Sequence, residues 1–193
     1  MAEYLFSDGS LREFLEERKN KLIEKIQNRN REDILNVDPE KYCDYLYQEY
    51  KLEVPQIEEN SIETDLGEED ILQHDNSYKK GTKISIIIPF KGDSELFRYV
   101  PSQHRRVEFK FNVSNHRLIK VLEGIDLNAG NIKKDLSGNL GNLKTELEYI
   151  SRDVSGFNEN LKNLIEKEIE KRKKKLLEDE KLISELGFPS VKK

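Results

Sequence analysis

From Leu136 to Leu164 apolar residues recur at alternating steps of four and three: Leu136, Leu140, Leu143, Leu147, Ile150, Val154, Phe157, Leu161 and Leu164. That is the a/d seam of a helix burying one narrow stripe against another helix. A strand cannot use this period, because its side chains change face at every residue. The seam is expected to meet either a partner copy or the chain's own first helices, and a homo-oligomer is the expected assembly. Gly138, Gly141 and Gly156 each cost roughly 1 kcal/mol in an exposed helix interior. With two of them near its start, regular helix is expected only from about Asn142, inside a helical segment 131–188. Past Leu164 the stripe drifts through Ile165 and Ile169 to Leu176, Leu177, Leu182 and Ile183. Gly187 is a natural C-cap, Phe188 and Pro189 would close the helix, and 189–193 is a tail.

Residues 1–51 read as a helical hairpin. Ser7 or Ser10 can cap a first helix whose apolar face is Leu11, Phe14, Leu15, Leu22, Ile23 and Ile26. The Asn28 to Asn30 stretch stops it. Asp38, Pro39 and Glu40 open a second helix, with Tyr42, Tyr45, Leu46, Tyr47 and Tyr50 on it.

Residues 52–124 divide by charge. From Leu52 to Tyr78 there are nine acids and no Lys or Arg, whereas Lys79 to Lys120 holds ten bases and three acids. Such blocks can pair with each other or steer a partner, and an acidic loop that solvates itself or folds back on a basic sheet is the preferred reading. The acidic block carries only weak alternation (Ile57, Ile62, Leu66, Ile71) and reads as strand plus loop. After a turn at Lys79-Lys80-Gly81 comes a strand over Lys83 to Pro89, which Pro89 ends. Arg106 to Val113 alternates strictly, with Val107, Phe109, Phe111 and Val113 inward. A turn within Asn112 to His116 leads to a partner strand, Arg117 to Glu123, and Gly124 to Gly130 links to the long helix. The fold class is therefore α+β: a helical hairpin, a small, mostly antiparallel β-sheet and a long coiled-coil-like C-terminal helix.

No apolar run spans a bilayer, and MAEYLFSDGS lacks the basic and apolar regions of a secretory signal. Cys43 is the single cysteine, which leaves no internal disulfide. Cytoplasmic residence and no membrane partner are expected.

Glu108-Phe109-Lys110, fifteen residues after Asp93, matches the pattern by which PD-(D/E)xK nucleases hold Mg²⁺ with two carboxylates and place a Lys beside the attacked phosphate. Charged residues make up 37% of the chain, however, so E-x-K triplets arise readily, and an exposed ion pair explains this one. No catalytic residue is therefore assigned, with Asp93, Glu108 and Lys110 kept as a rival. Arg98, Tyr99, Arg105, Arg106 and Lys110 are the candidates for nucleic-acid contact, combining cations for phosphate with an aromatic face for a base. A solvated basic face is the preferred use of them. The run Lys171 to Lys175 is bracketed by acids at helical spacing and reads the same way. His74, His104 and His116 lack Cys partners at zinc spacing, so no metal is assigned.

Two stretches carry a resemblance. One is Pro89-Phe90-Lys91-Gly92-Asp93-Ser94-Glu95-Leu96-Phe97 with Pro101-Ser102. The other runs from Glu148-Tyr149-Ile150-Ser151-Arg152-Asp153-Val154 and Phe157-Asn158, through Lys175-Leu176-Leu177, to Leu186-Gly187-Phe188-Pro189. Together they resemble the N-terminal region of large bacterial proteins whose C-terminal half is a restriction-endonuclease-like PD-(D/E)xK nuclease of the anti-phage-defence type. The resemblance assigns no catalytic role to these residues. It implies that the nuclease half, with any Mg²⁺ cofactor, would lie after Lys193, and that this chain is the regulatory or assembly half. DNA or a phage-derived component would then be its partner. The rivals are a nucleic-acid-binding module and a minimal metal-dependent nuclease.

Overall fold

A computed structural model describes residues 3–105 and 107–187. The chain forms two compact units: one from residues up to Phe14 and Leu52–Val154, the other from Leu15–Lys51 and the residues from Ser155 onward. Both the first and the last helix contribute to each unit.

Among the described residues the first unit is built on six strands: β1 (Glu3–Tyr4), β2 (Gln56–Ile57), β3 (Glu63–Leu72), β4 (Tyr78–Lys91), β5 (Lys110–Ser114) and β6 (Arg117–Gly124). All pairings are antiparallel; the order is β1-β5-β6-β4-β2, with β3 also on β4. One face supplies core: Ile86, Ile88, Phe90, Phe111 and Leu118 are buried, as is Phe109 just ahead of β5. Asn115 and His116 both have positive φ, the two-residue hairpin geometry that matches strand twist. The expected alternation holds at Phe109 and Phe111, but the strand starts at Lys110 rather than at 106.

One turn and one strand end differ from expectation. Tyr78 already pairs with Leu72, so Lys79-Lys80-Gly81 lies in β4, and the chain reverses at 73–77 instead. There Asn76 takes positive φ and the Asp75 carboxylate accepts from the Ser77 amide and hydroxyl. Pro89 does not end β4, which continues to Lys91. Its missing N–H falls where the neighbouring strand changes from β3 (last pair Glu63–Ile87) to β2, so no ladder bond is lost. Gly81 is required by crowding: a Cβ there would stand 2.6 Å from Ile71 Cγ1 and 2.9 Å from the Gly124 carbonyl oxygen.

The acidic block does fold back on the basic one. Lys80 pairs with Asp70 at 2.9 Å, and Lys83 bridges Glu69 and Glu123 at 3.0 Å each.

The second unit begins within α1 (Leu11–Gln27), which follows Ser10 directly. Leu15, Leu22 and Ile26 form its buried face. A short α2 (Arg31–Asn36) occupies what reads in sequence as a plain break; Asn30 Oδ1 caps it by accepting from the Glu32 amide, and Ile34 is buried. Asp38 caps α3 (Pro39–Tyr50), accepting from the amides of Glu40 and Lys41. The α1–α3 hairpin is held by Arg18 Nε donating to the Tyr50 carbonyl (2.9 Å) and by Lys25 on Glu49 (2.7 Å to Oε2).

That last pair sets a pH response. Its hydrogen bond to Lys25 holds the Glu49 carboxyl below its ordinary pKa, and the same bond raises Lys25 above its own. Glu49 therefore contributes stability that is fully present above the ordinary carboxylate range and lost as pH falls through its lowered folded value. Lys25's share is complete below the ordinary lysine range and lost as pH rises through its raised value. Both side chains are partly exposed, so solvent screening keeps the effect small. Urea midpoints measured against pH should fall less steeply on the acid side for Glu49→Gln than for the parent.

α4 (Ala129–Leu186) is one continuous helix. It starts well before Asn142 because Asn128 Oδ1 caps it, accepting from the Asn131 amide, and Gly138 and Gly141 lie within it. Gly187, at φ +67°, follows its last residue as expected. Phe188, Pro189 and the tail lie outside the described residues.

The seam is used inside one chain. In the first unit Leu140, Leu143, Leu147, Ile150 and Val154 are buried; in the second Phe157, Leu161, Ile165, Ile169 and Leu176 are. Leu164 is only half-buried, because a 3.5-residue repeat drifts about 20° per heptad around a straight 3.6-residue helix, and Ile165 takes its place. All of the expected oligomer seam from Leu140 to Leu164 except the half-buried Leu164 is therefore covered within the chain and not left open to a partner copy. In the second unit the helix is also tied by Lys162 to Asp44 (2.8 Å), Gln27 to Glu168 (3.1 Å) and Arg31 to Glu180 (2.8 Å). Among the described residues no helix is long and apolar enough to cross a membrane.

Candidate functional site

The segment between β4 and β5 holds most of the residues singled out for chemistry. Gly92 turns the chain out of β4 at φ +95°, and a Cβ there would lie 2.7 Å from the Val54 carbonyl oxygen and 2.8 Å from that of Glu53. This close approach lets Asp93 form a two-bond clasp: its amide donates to the Glu53 carbonyl and its Oδ2 accepts from the Glu53 amide, both at 2.7 Å. Ser94–Phe97 then makes a single 3-10 turn whose Leu96 and Phe97 are buried.

The N-terminal segment straps this turn in place. Phe6 N–H donates to the Phe97 carbonyl (2.6 Å), Asp8 N–H to that of Arg98 (2.9 Å) and Leu11 N–H to that of Val100 (2.8 Å). Phe6 takes φ 56°, a strained conformation for a bulky side chain. It is held there by a ring contact with Phe109 (5.7 Å, edge-on) and another with Phe97 (6.2 Å). Beside the strap lies an open polar groove of about 650 Å³ lined by Tyr4, Ser7, Asp8, Ser94, Glu95 and Arg98.

A second clasp fixes the chain after Pro101. Glu146, seven residues before Asp153 and so on the same side of α4, is fully buried. Its Oε2 lies 2.9 Å from His104 Nδ1, and its Oε1 accepts from the Arg105 amide at 2.9 Å. Asp153 accepts from the Ser102 amide (2.8 Å) and hydroxyl (2.7 Å). Neither acid stands out in the sequence as a site residue. The available signal was Glu146 itself, a charged residue directly beside the seam position Leu147.

The nuclease geometry is not formed. Asp93 lies off the strands with its carboxylate on the Glu53 amide, and Glu108 is exposed ahead of β5. Lys110 is the first residue of β5, its ammonium 5.0 Å from the centre of the Tyr4 ring. A hydrogen bond to the Tyr4 hydroxyl raises the Lys110 pKa, so it carries its charge firmly. The paired-strand arrangement expected of Asp93, Glu108 and Lys110 fails because Gly92 bends Asp93 away from β4. Among the described residues no group of three or more His, Cys, Asp or Glu could hold a metal.

The nucleic-acid candidates are dispersed in use. Arg98 Nε is bound to Asp8 Oδ2 at 2.8 Å, and the Tyr99 ring stacks on Phe14 at 4.3 Å. Lys110 is occupied by Tyr4; Arg105 is exposed while its amide is held by Glu146. Arg106 lies outside the described residues. What the arrangement does chemically is position backbone: Asp93, Glu146 and Asp153 each accept from main-chain amides of distant segments. Comparison of the chain with protein-family models, curated proteins and solved structures finds no match.

Proposed function

We propose that this chain is a non-catalytic assembly module that pairs with a second copy of itself through the last turns of α4. The observation that carries it is a change in exposure along one helix face. Leu161, Ile165, Ile169 and Leu176 are buried, whereas Ile183 (43% exposed) and Leu186 (56%) continue that face uncovered, with Leu182 (57%) at its margin. The same stripe is present on every copy, so a two-fold pairing would bury it self-complementarily. The resemblance of the Pro89–Ser102 and Glu148–Pro189 stretches is what suggests a PD-(D/E)xK defence nuclease as the activity such an assembly would position. Nucleic-acid capture is supported less, since Arg98, Tyr99 and Lys110 already have partners in the fold.

Light scattering tests the pairing. The parent should show the mass of two chains as concentration rises. Ile183→Lys with Leu186→Lys should show one chain, with the melting temperature of a parent monomer. A parent that stays at one chain throughout overturns the proposal. In the same preparation, linear and supercoiled DNA should survive Mg²⁺ or Mn²⁺. Cleavage that disappears in Glu108→Ala would overturn the non-catalytic reading.

A further inference from the structure

Strand β3 borders β4 on one side, and among the described residues no strand pairs with its other side. Register shows which backbone groups lie on that open edge. Gln73 N–H donates to the Ser77 carbonyl across the hairpin, so Gln73 faces β4, and by alternation so do Ile71, Glu69, Gly67, Asp65 and Glu63. On the far side of β4, Phe90 N–H donates to the His116 carbonyl, which fixes the same parity independently. Thr64, Leu66, Glu68, Asp70 and Leu72 therefore direct their N–H and C=O groups outward. Both faces of β3 are open as well: only Glu69 and Ile71 are half-buried, and Leu66 is 73% exposed. A long free edge with exposed apolar side chains beside it is a template for an added strand.

Charge decides which strand can add. Asp70 and Glu69 are held by Lys80 and Lys83, but Glu63, Asp65 and Glu68 have no ion pair among the described residues. A second copy of β3 would set these acids against acids, and like charges facing each other across strands are destabilising. A strand with Lys or Arg at every second position would instead meet Glu63 and Asp65 on one face, or Glu68 and Asp70 on the other.

We propose that the open edge of β3 is a strand-addition site for an extended, basic segment of a partner protein. Its main chain would bond to the outward groups from Thr64 to Leu72, and its cations would face the unpaired acids. This surface is independent of the α4 stripe, so either can fail without the other.

The probe is a short, capped, fluorescein-labelled peptide of alternating Lys and Thr, with binding to the full chain read by anisotropy. It should bind, and the same peptide with Glu for Lys should not. Two further Lys peptides carry N-methyl groups on one or the other alternate set of backbone nitrogens. One set faces β3 and should lose about tenfold or more in affinity; the other faces solvent and should bind as before. Glu68→Pro removes one outward N–H while sparing the β3–β4 ladder and should weaken binding more than Glu68→Gln. Absence of binding by the Lys peptide overturns the proposal. So does equal binding by both methylated peptides, or an equal loss in the two Glu68 variants, since either would mean charge attraction without strand addition.

Discussion

Replacing Leu147 and Val154 together with Asp is expected to leave this protein unfolded at room temperature. Both side chains are buried on the half of α4 that belongs to the first unit. Each substitution forfeits about 1.5–3 kcal/mol of apolar burial. Each also places a carboxylate where no donor waits, at an effective cost of several kcal/mol or of the proton needed to neutralise it. Against a total stability of about 5–15 kcal/mol the sum leaves nothing to hold the unit. Far-UV circular dichroism and thermal melting read the outcome directly. A double variant that melts like the parent would mean that these positions are not covered.

Phe97→Ala is expected to cost about 3–5 kcal/mol, the usual loss on truncating a fully buried aromatic. Phe97 is 1% exposed, its ring meets Phe90 edge-on at 4.9 Å, and its carbonyl holds the Phe6 amide. The truncation would thus open a cavity beneath the strap and remove one of the two ring contacts that hold Phe6 at positive φ. A urea titration should show a lower midpoint with unchanged slope. Arg98→Ala is the control one residue along: it removes only an exposed ion pair to Asp8 and should leave the midpoint nearly where it was.

Periodic and punctuated features were legible in the sequence. The seam named α4, strict alternation named β5, the turn after it named β6 as its partner, and Asp38 with Pro39 and Gly187 marked helix ends that the structure keeps. Where expectation failed, a non-local term had won. Glycine propensity puts the helix start too late because it is local, whereas the burial of Leu140 and Leu143 is not; the Asn128 cap, itself local, adds to that burial. β3 gave little alternation because nearly all its residues are exposed, so neither face selects apolar residues. Within the site, Gly92-Asp93 makes a turn whose partner is Glu53, forty positions earlier. Nothing local to Asp93 distinguishes a carboxylate that clasps backbone from one that would bind Mg²⁺. Glu146 and Asp153 were equally hidden, being ordinary acids on a charged helix until the segment at Ser102 to Arg105 comes to lie against them.

The division of the first unit across the chain has a consequence for the ribosome. Its strands are all synthesised by Gly124, but its core also needs Leu140, Leu143, Leu147, Ile150 and Val154, which emerge later. During that interval the nascent sheet displays Ile86, Ile88, Phe90, Phe111 and Leu118 with its helical share of the core still unmade, the condition under which nascent chains aggregate. The acids of β3 are already present on the same sheet by then, and their repulsion between neighbouring nascent chains would hold such sheets apart until α4 arrives.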